Sequence, residues 1–574
     1  MYIRFVSLSI FTFAFFNNCS APMHSDLSQN TSASQQAVFK CTDRNLSSKT
    51  KNYILSKTQY LNTIEDLFGT GALSAATSEL STVADDTYND DTNERLSTIS
   101  SSQAIAYYDV AVALANYVIA NTTRTQTVFG ACANVATPTS TCIDTYINGF
   151  ARRLLRRPLK VVAESVGVDS IEDEVEFVKK IMATPGVYKD NLKAVLTYHL
   201  TSPAFLWLLE MGSATASGSR LMLTPYEVSA RLAYLITDTT PDAALTTAAQ
   251  DGSILTPVGL QTQVQRLLQT NRGKKKVADA IKRWSLTDKV QDVAGLPASL
   301  TTGVSVTGLS AAIQSEVQAY IDHMVYKTSG SLKDLMTSKL SFASHSGLAT
   351  IYGHAPAAGG IPVDISQRRQ GLLMRAPFLT WYTPRTNIIL RGVAFQKRVL
   401  CNDIPSPNVD IVGDRDAHVL TDAELVTVTN RAAVTFQTDS PVCMRCHSTI
   451  NPVGFAFENF DSLVRLRNQE LMYDRSGTYV QSLPIHTSAQ VPMPDGGTVS
   501  VADAYDLVTQ LADSPDIAAC VSRNVYRYFY EKKETRDDDC QVQDGFEVAK
   551  DPALPLLNAV EKIFSANSLY FKEL

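Results

Sequence analysis

The chain has 574 residues, 45% hydrophobic and 19% charged, with a net charge of −6 and a pI near 5.8. That length exceeds a single hydrophobic core and implies roughly three to five modules, and the composition excludes a disordered chain. The acidic balance gives no support for nucleic-acid binding, and the one dense basic run, Lys274-Lys275-Lys276 after Arg272, reads as a solvated helix face.

In chain order the first element is an apolar run of 12 residues, Phe5–Phe16, behind Arg4. It fits the hydrophobic stretch of a secretory signal and is too short to span a bilayer. Residues 1–21 are therefore expected to be a signal peptide or lipoprotein signal. Two cleavage alternatives stand: before Cys19, which would then be lipidated, or after Ala21. Residues 22–45 are polar and are expected to form a flexible tether. Export places the protein in the periplasm or at the outer membrane or cell surface, with a lipid anchor as its only membrane attachment.

Helical periodicity dominates the rest of the chain. Leu55–Phe68 sets Tyr60, Ile64 and Leu67 on one side and stops at Gly69. Ala104–Ala120 reads as a buried helix, and Ile143–Leu155 ends before Pro158. Val175–Ala183 and Asn191–Thr201 come next. Thr224-Pro225 supplies an N-cap and a first-turn proline for Tyr226–Ile236. Leu260–Leu268, Lys274–Trp284 and Ala311–Tyr326 continue the pattern, while strand-like alternation is confined to short pieces such as Thr478–Val480. Helical modules are expected over 46–130, 131–215, 216–300 and 301–400, with a distinct region over 401–574. Arg152, Arg153, Arg156 and Arg157 form a cationic cluster that reads as ion pairing between modules, with an anion site as the alternative.

The strongest chemical signal is Cys443-Met444-Arg445-Cys446-His447. Cys-x-x-Cys-His is the attachment pattern for a c-type haem: two thiols reach the two vinyl groups of one porphyrin, and the adjacent imidazole reaches the iron. His447 would then be the proximal iron ligand and the cofactor one covalent haem c. A zinc half-site would need two further ligands at matching spacing, and the sequence has no second Cys-x-x-Cys. A plain Cys443–Cys446 disulfide is the other alternative. With Cys19 and the two motif cysteines set aside, six of the nine cysteines remain: Cys41, Cys132, Cys142, Cys401, Cys520 and Cys540. An even number in an oxidising compartment is consistent with three disulfides. Cys132–Cys142 is expected from its short polar gap, and Cys401–Cys520 is the second candidate.

The segment CMRCHSTINPVGFAFENFDSLVRLR resembles the hallmark stretch of exported multi-module bacterial proteins first noted in planctomycetes. Ile450, Pro452, Gly454, Phe455, Glu458, Asn459, Phe460 and Asp461 match that pattern, and Asn451 stands where the family usually has Asp. LSKTQYLNTIEDLFG, FARRLLRRPL with TSPAFLWLLE, LTPYEVSARLAYLITDTTPDAAL, RQGLLMRAPFLT with ILRGVAFQKRVLCNDIPSP, and IAACVSRNVYRYFY resemble the family's other signatures in order. Ile236-Thr237 replaces a usual Leu-Trp pair. The resemblance implies a mainly α fold of consecutive helical modules with a C-terminal cytochrome-c-like haem domain and a terminal helical module. It implies no substrate.

For the sixth iron position Met493, in a proline-braced loop 46 residues after His447, is the candidate distal ligand, with Met472 and His486 as rivals. Met444 sits inside the attachment turn. Glu458, Asn459 and Asp461 are expected either to face a haem propionate or to hold Arg465 or Arg467. Pro452 and Gly454 are expected to shape a turn after His447. The functional readings are an electron carrier for an exported redox partner, a haem enzyme (peroxidase, oxygenase or cytochrome-linked oxidation), or a non-haem, disulfide-stabilised surface lipoprotein that binds a partner.

Overall fold

In the computed structural model helices form where cap residues and apolar spacing coincide. The structure describes residues 39–573 apart from 45–51, 81–82, 84–97, 136, 160–173, 213–215, 218–219, 291–292, 294–297, 366, 380–384, 405–418, 475–477 and 565–566. The expected signal, Cys19 and most of the expected tether lie outside the described residues.

Helix α1 (Lys57–Phe68) begins at Ser56, whose hydroxyl accepts from the Gln59 N–H while the Gln59 side chain accepts from the Ser56 N–H; Gly69 ends it at φ 82°. Helix α2 (Ser101–Ile119) opens on the same reciprocal pair, Ser100 and Gln103, and buries Val110, Leu114 and Val118. The helix expected over Ile143–Leu155 comes in three pieces: α3 (Ser140–Tyr146), a π turn (Ile147–Ala151) and α4 (Arg152–Leu155). Helix α5 (Tyr188–Thr201) packs on α2. Strand β1 (Tyr53–Ile54) pairs antiparallel with β2 (Trp207–Leu208), so the two modules expected over 46–130 and 131–215 close around one core. Among the described residues no single helix is long and apolar enough to cross a membrane.

His199 on α5 is 1% exposed, its Nδ1 2.8 Å from the Tyr146 hydroxyl, and burial lowers its pKa to about 4. Its folded pKa lies below the unfolded value near 6.5, so the unfolded chain binds more protons between those limits. Stability from this group is complete above pH 6.5 and falls toward pH 4, by about 3 kcal/mol in all. Urea midpoints at pH 7 and pH 4.5 should show the loss, and His199→Gln should flatten it.

The second core runs from Leu223 to Tyr570. Strand β3 (Arg220–Met222) precedes α6 (Pro225–Thr237), which starts at Thr224 with a capping box to Glu227. Helices α7 (Ala243–Gln250), α8 (Asn271–Trp284) and α9 (Leu309–Asp322) follow. Next come α10 (Ile388–Ala394), α11 (Asn430–Gln437) and α12 (Met444–Ala456). Two hairpins interrupt the helices: β4 (Gln469–Tyr473) with β5 (Tyr479–Pro484), and β6 (Ala489–Pro492) with β7 (Thr498–Val501). This is more sheet than Thr478–Val480 alone suggests. The inward positions of β4 are Glu470 and Met472, so a carboxylate breaks the apolar alternation. Helices α13 (Pro515–Tyr530) and α14 (Asp539–Ala549) complete the core, and β8 (Phe571–Glu573) returns to pair with β3.

Three disulfides join Cys132–Cys142, Cys401–Cys520 and Cys41–Cys540. The last, at a sequence separation of 499, fastens residues 39–44 to α14. Lys40 N–H donates to Asp539, Arg44 pairs with Asp544, and Phe39 meets Phe546 at 5.6 Å. The described end of the segment read as a tether is thus held against the C-terminal module.

Candidate functional site

Ser440 starts the haem-motif turn. Its carbonyl accepts from Met444 N–H at 2.9 Å and its hydroxyl from Cys443 N–H at 3.3 Å. The Cys443 carbonyl then accepts from Cys446 N–H (3.2 Å) and His447 N–H (3.0 Å). Cys443, Cys446 and His447 therefore stand at i, i+3 and i+4 on the first turn of α12, which puts them on one face. Cys443 is 8% exposed, and Cys446 and His447 are half-buried. Both cysteines are free thiols, so the plain disulfide between them is not the arrangement found. Among the described residues no group of three His, Cys, Asp or Glu side chains converges as a metal site would require.

The hydrogen bonds behind His447 fix its tautomer. Thr438 directs its single hydroxyl proton to the Val434 carbonyl (2.7 Å), so its oxygen can only accept from Asn451. Asn451 Nδ2 donates to it at 2.9 Å, and Asn451 Oδ1 is thereby turned toward His447 Nδ1, 3.0 Å away. Nδ1 must carry the proton, which leaves the Nε2 lone pair available. Thr438 and Asn451 are 4% and 5% exposed, so water does not compete for these bonds. A half-buried imidazole with a free Nε2 beside two unpaired thiols is the donor set that a covalent haem requires.

The turn is held by a close helix crossing. A Cβ on Gly392 of α10 would meet the Ile450 carbonyl at 2.2 Å, and one on Gly454 of α12 would meet the Ile388 carbonyl at 2.3 Å. Only glycine at both positions permits this reciprocal approach. One turn on, buried Gln396 donates to the Thr449 carbonyl at 3.2 Å, and Asn402 donates to Gln396. Pro452 and Gly454 lie inside α12 rather than in a turn after His447. The proline is tolerated because the carbonyl it deprives, that of Ser448, is on an exposed residue.

Glu458 is 2% exposed and accepts from Thr386 Oγ1 (2.6 Å) and Arg467 (3.0 Å), with Arg391 at 3.6 Å. Burial lowers the Arg391 pKa to about 10, and Glu458 opposes that shift. Asp461 holds Arg465 at 2.7 Å and accepts from the Leu463 and Arg465 N–H groups. Glu458 and Asp461 are thus the alternative holders of Arg467 and Arg465. Met493 sits half-buried at the tip of the β6–β7 hairpin, its N–H bonded to Gly497, its side chain against the second core. Met472 is 2% exposed with its sulfur 3.8 Å from Arg385. His486 is exposed, and its carbonyl accepts from Arg431, which also stacks on Phe455. Phe436, Val442 and Met444 are each about two-fifths exposed on α11 and the attachment turn, an apolar surface of the kind a porphyrin would cover. The sequence reading missed Asn451, Thr438 and Gln396 as supports. The i, i+4 spacing of His447 and Asn451 carried that signal once the helix is known.

Three family models match the chain in series. Residues 54–120 match PSD3, a protein of unknown function (DUF1587); 223–354 match PSD4, a protein of unknown function (DUF1592); and 369–470 match PSCyt3, a protein of unknown function (DUF1588). Together they support the multi-module family. Cys443, Cys446 and His447 fall inside the third match. No curated protein and no solved structure matches the chain at a significant level.

Proposed function

We propose that the protein is an exported monohaem c-type cytochrome-like protein that passes electrons to or from an exported redox partner. The carrying observation is the forced tautomer of His447 beside two free thiols. Cys443 and Cys446 would hold one haem c by thioether bonds and His447 Nε2 would ligate its iron, supplying a one-electron centre. The cytochrome element in the short name PSCyt3 and the pairing of the six other described cysteines support this reading. Expression with a c-type maturation system should give a coloured protein whose haem resists acid-acetone and whose pyridine haemochrome is of the c type. Cys446→Ala should lose one thioether. A colourless wild-type protein, or haem extracted by acid-acetone, rejects the proposal.

The sixth position separates carrier from enzyme. We assign it to Met493, because the strand that precedes it, β6, packs along α12. A low-spin spectrum with a sulfur-to-iron charge-transfer band, lost in Met493→Ala, is expected. High-spin iron that binds carbon monoxide rapidly would favour the haem-enzyme reading instead.

A further inference from the structure

Where the first core meets the second, a cleft opens between α4, α6 and α7. Arg152, Arg153, Arg156, Tyr226, Ser229 and Thr246 line it; its enclosed part, about 10 Å³, has room for a single water, so an anion would sit at its open mouth. Its charge is one-sided. Of the four arginines in the cluster, Arg157 pairs with Glu174 at 2.8 Å. No carboxylate among the described residues lies within ion-pair distance of the other three, so the pairing between modules expected from the sequence is not what they make. Neighbouring acids are committed elsewhere. Asp66 takes Arg272 and Thr239, Asp242 takes Arg266 and the Leu245 N–H, and Glu227 takes the N–H groups of Met211, Gly212 and Thr224.

The three guanidiniums differ in their freedom. Arg156, in the left-handed conformation at φ 62°, spends its donors on the Ala204, Phe205 and Trp207 carbonyls and the Tyr234 hydroxyl. Arg152 reaches Tyr226 and, with the Gln250 amide turned so that its oxygen faces the guanidinium, that oxygen at 2.8 and 2.9 Å, while its buried Nε has no partner. Arg153 is exposed and makes one long bond, 3.4 Å, to the Asp66 carbonyl. Three like charges around a partly desolvated cleft repel one another unless an anion neutralises them.

We propose that this cleft binds a small oxyanion of the phosphate or sulfate class, or the carboxylate of an acidic sugar. Arg153 and Arg152 supply the charge and the N–H donors, while Tyr226, Ser229 and Thr246 line the rest, the last two with their hydroxyl protons on the Leu245 and Asp242 carbonyls. The site is independent of the haem reading. Bound there, the anion would tie the two cores together.

The test uses the full mature chain in low-chloride buffer. Inorganic phosphate, sulfate and glucuronate are titrated by calorimetry and by thermal melting. Saturable binding of at least one anion, with a raised melting temperature, is expected. Arg153→Gln should weaken it roughly tenfold or more, and Arg153→Glu should abolish it. The preferred anion among the three identifies the source. No heat and no melting shift at about 10 mM of any of the three overturns the proposal, as does an unchanged affinity in Arg153→Gln. Circular dichroism verifies that each variant is folded. Arg152→Gln serves as a second variant, and Arg153→Gln decides alone should that one not fold.

Discussion

Glu316→Ala is expected to lower the unfolding free energy by about 3–5 kcal/mol. Glu316, on α9, and Arg375 form an ion pair in which the side chains are 0% and 1% exposed. Arg375 also donates to the Leu340 carbonyl at 2.5 Å and lies 3.5 Å from the centre of the Tyr320 ring. Glu316 in turn accepts from the Phe342 N–H at 3.2 Å. Removal of the carboxylate leaves a guanidinium that cannot shed its proton, with one carbonyl and one ring face for company. The pair bridges the segment matched as DUF1592 and the segment matched as DUF1588, so its loss loosens the join between them. Phe378, three residues beyond Arg375, meets Phe457 at 5.4 Å just past the end of α12, so the damage reaches the scaffold of the attachment turn. The double replacement Glu316→Met with Arg375→Met should recover most of the loss, because no charge is then left buried. Urea unfolding followed by far-ultraviolet circular dichroism measures both. A loss under about 1 kcal/mol for Glu316→Ala would mean that solvent reaches Arg375 and that the join is loose.

That ion pair marks the limit of what hydropathy can foretell. The helices were legible because their starts are written locally: Ser56 with Gln59, Ser100 with Gln103, and Thr224-Pro225 with Glu227 each announce a first turn. The disulfide Cys132–Cys142 was legible for the same reason, its two ends being 10 residues apart. Arg369, Arg375 and Arg391 are buried to 1% exposure or less, and a pattern that places charge outside has no means of finding them. Cys41–Cys540 spans nearly the whole chain and has no local signature. At the candidate site the three donors were named by a motif, whereas their support was hidden by one residue. Pro452 reads as a helix breaker, and a turn after His447 would separate the imidazole from Asn451. Because α12 runs through Pro452 to Ala456, residues 447 and 451 share a face.

In the haem-loaded form that we propose, Asn451→Asp is expected to keep the covalent attachment and to lower the midpoint potential, by about 60 mV for each tenfold change in the one-electron equilibrium. The effect turns on the proton at His447 Nδ1. In the native chain that proton is shared with a neutral amide oxygen at 3.0 Å. A carboxylate in the same place draws the proton more strongly, makes the imidazole a better electron donor and favours oxidised iron. Its second oxygen would face Thr438 Oγ1, whose proton is held by the Val434 carbonyl, so that contact costs some stability without moving the proton from Nδ1. Asn451→Leu should do the reverse. With no acceptor at Nδ1 the imidazole donates less and the potential rises, while the unpaired polar groups cost about 1–3 kcal/mol of stability. Spectroelectrochemical titration of the three proteins should order them Asp below Asn below Leu. Identical potentials would show that Asn451 holds the fold and does not tune the ligand. A wild-type protein without covalent haem would instead overturn the haem assignment itself, so the two failures are told apart by whether there is a potential to measure.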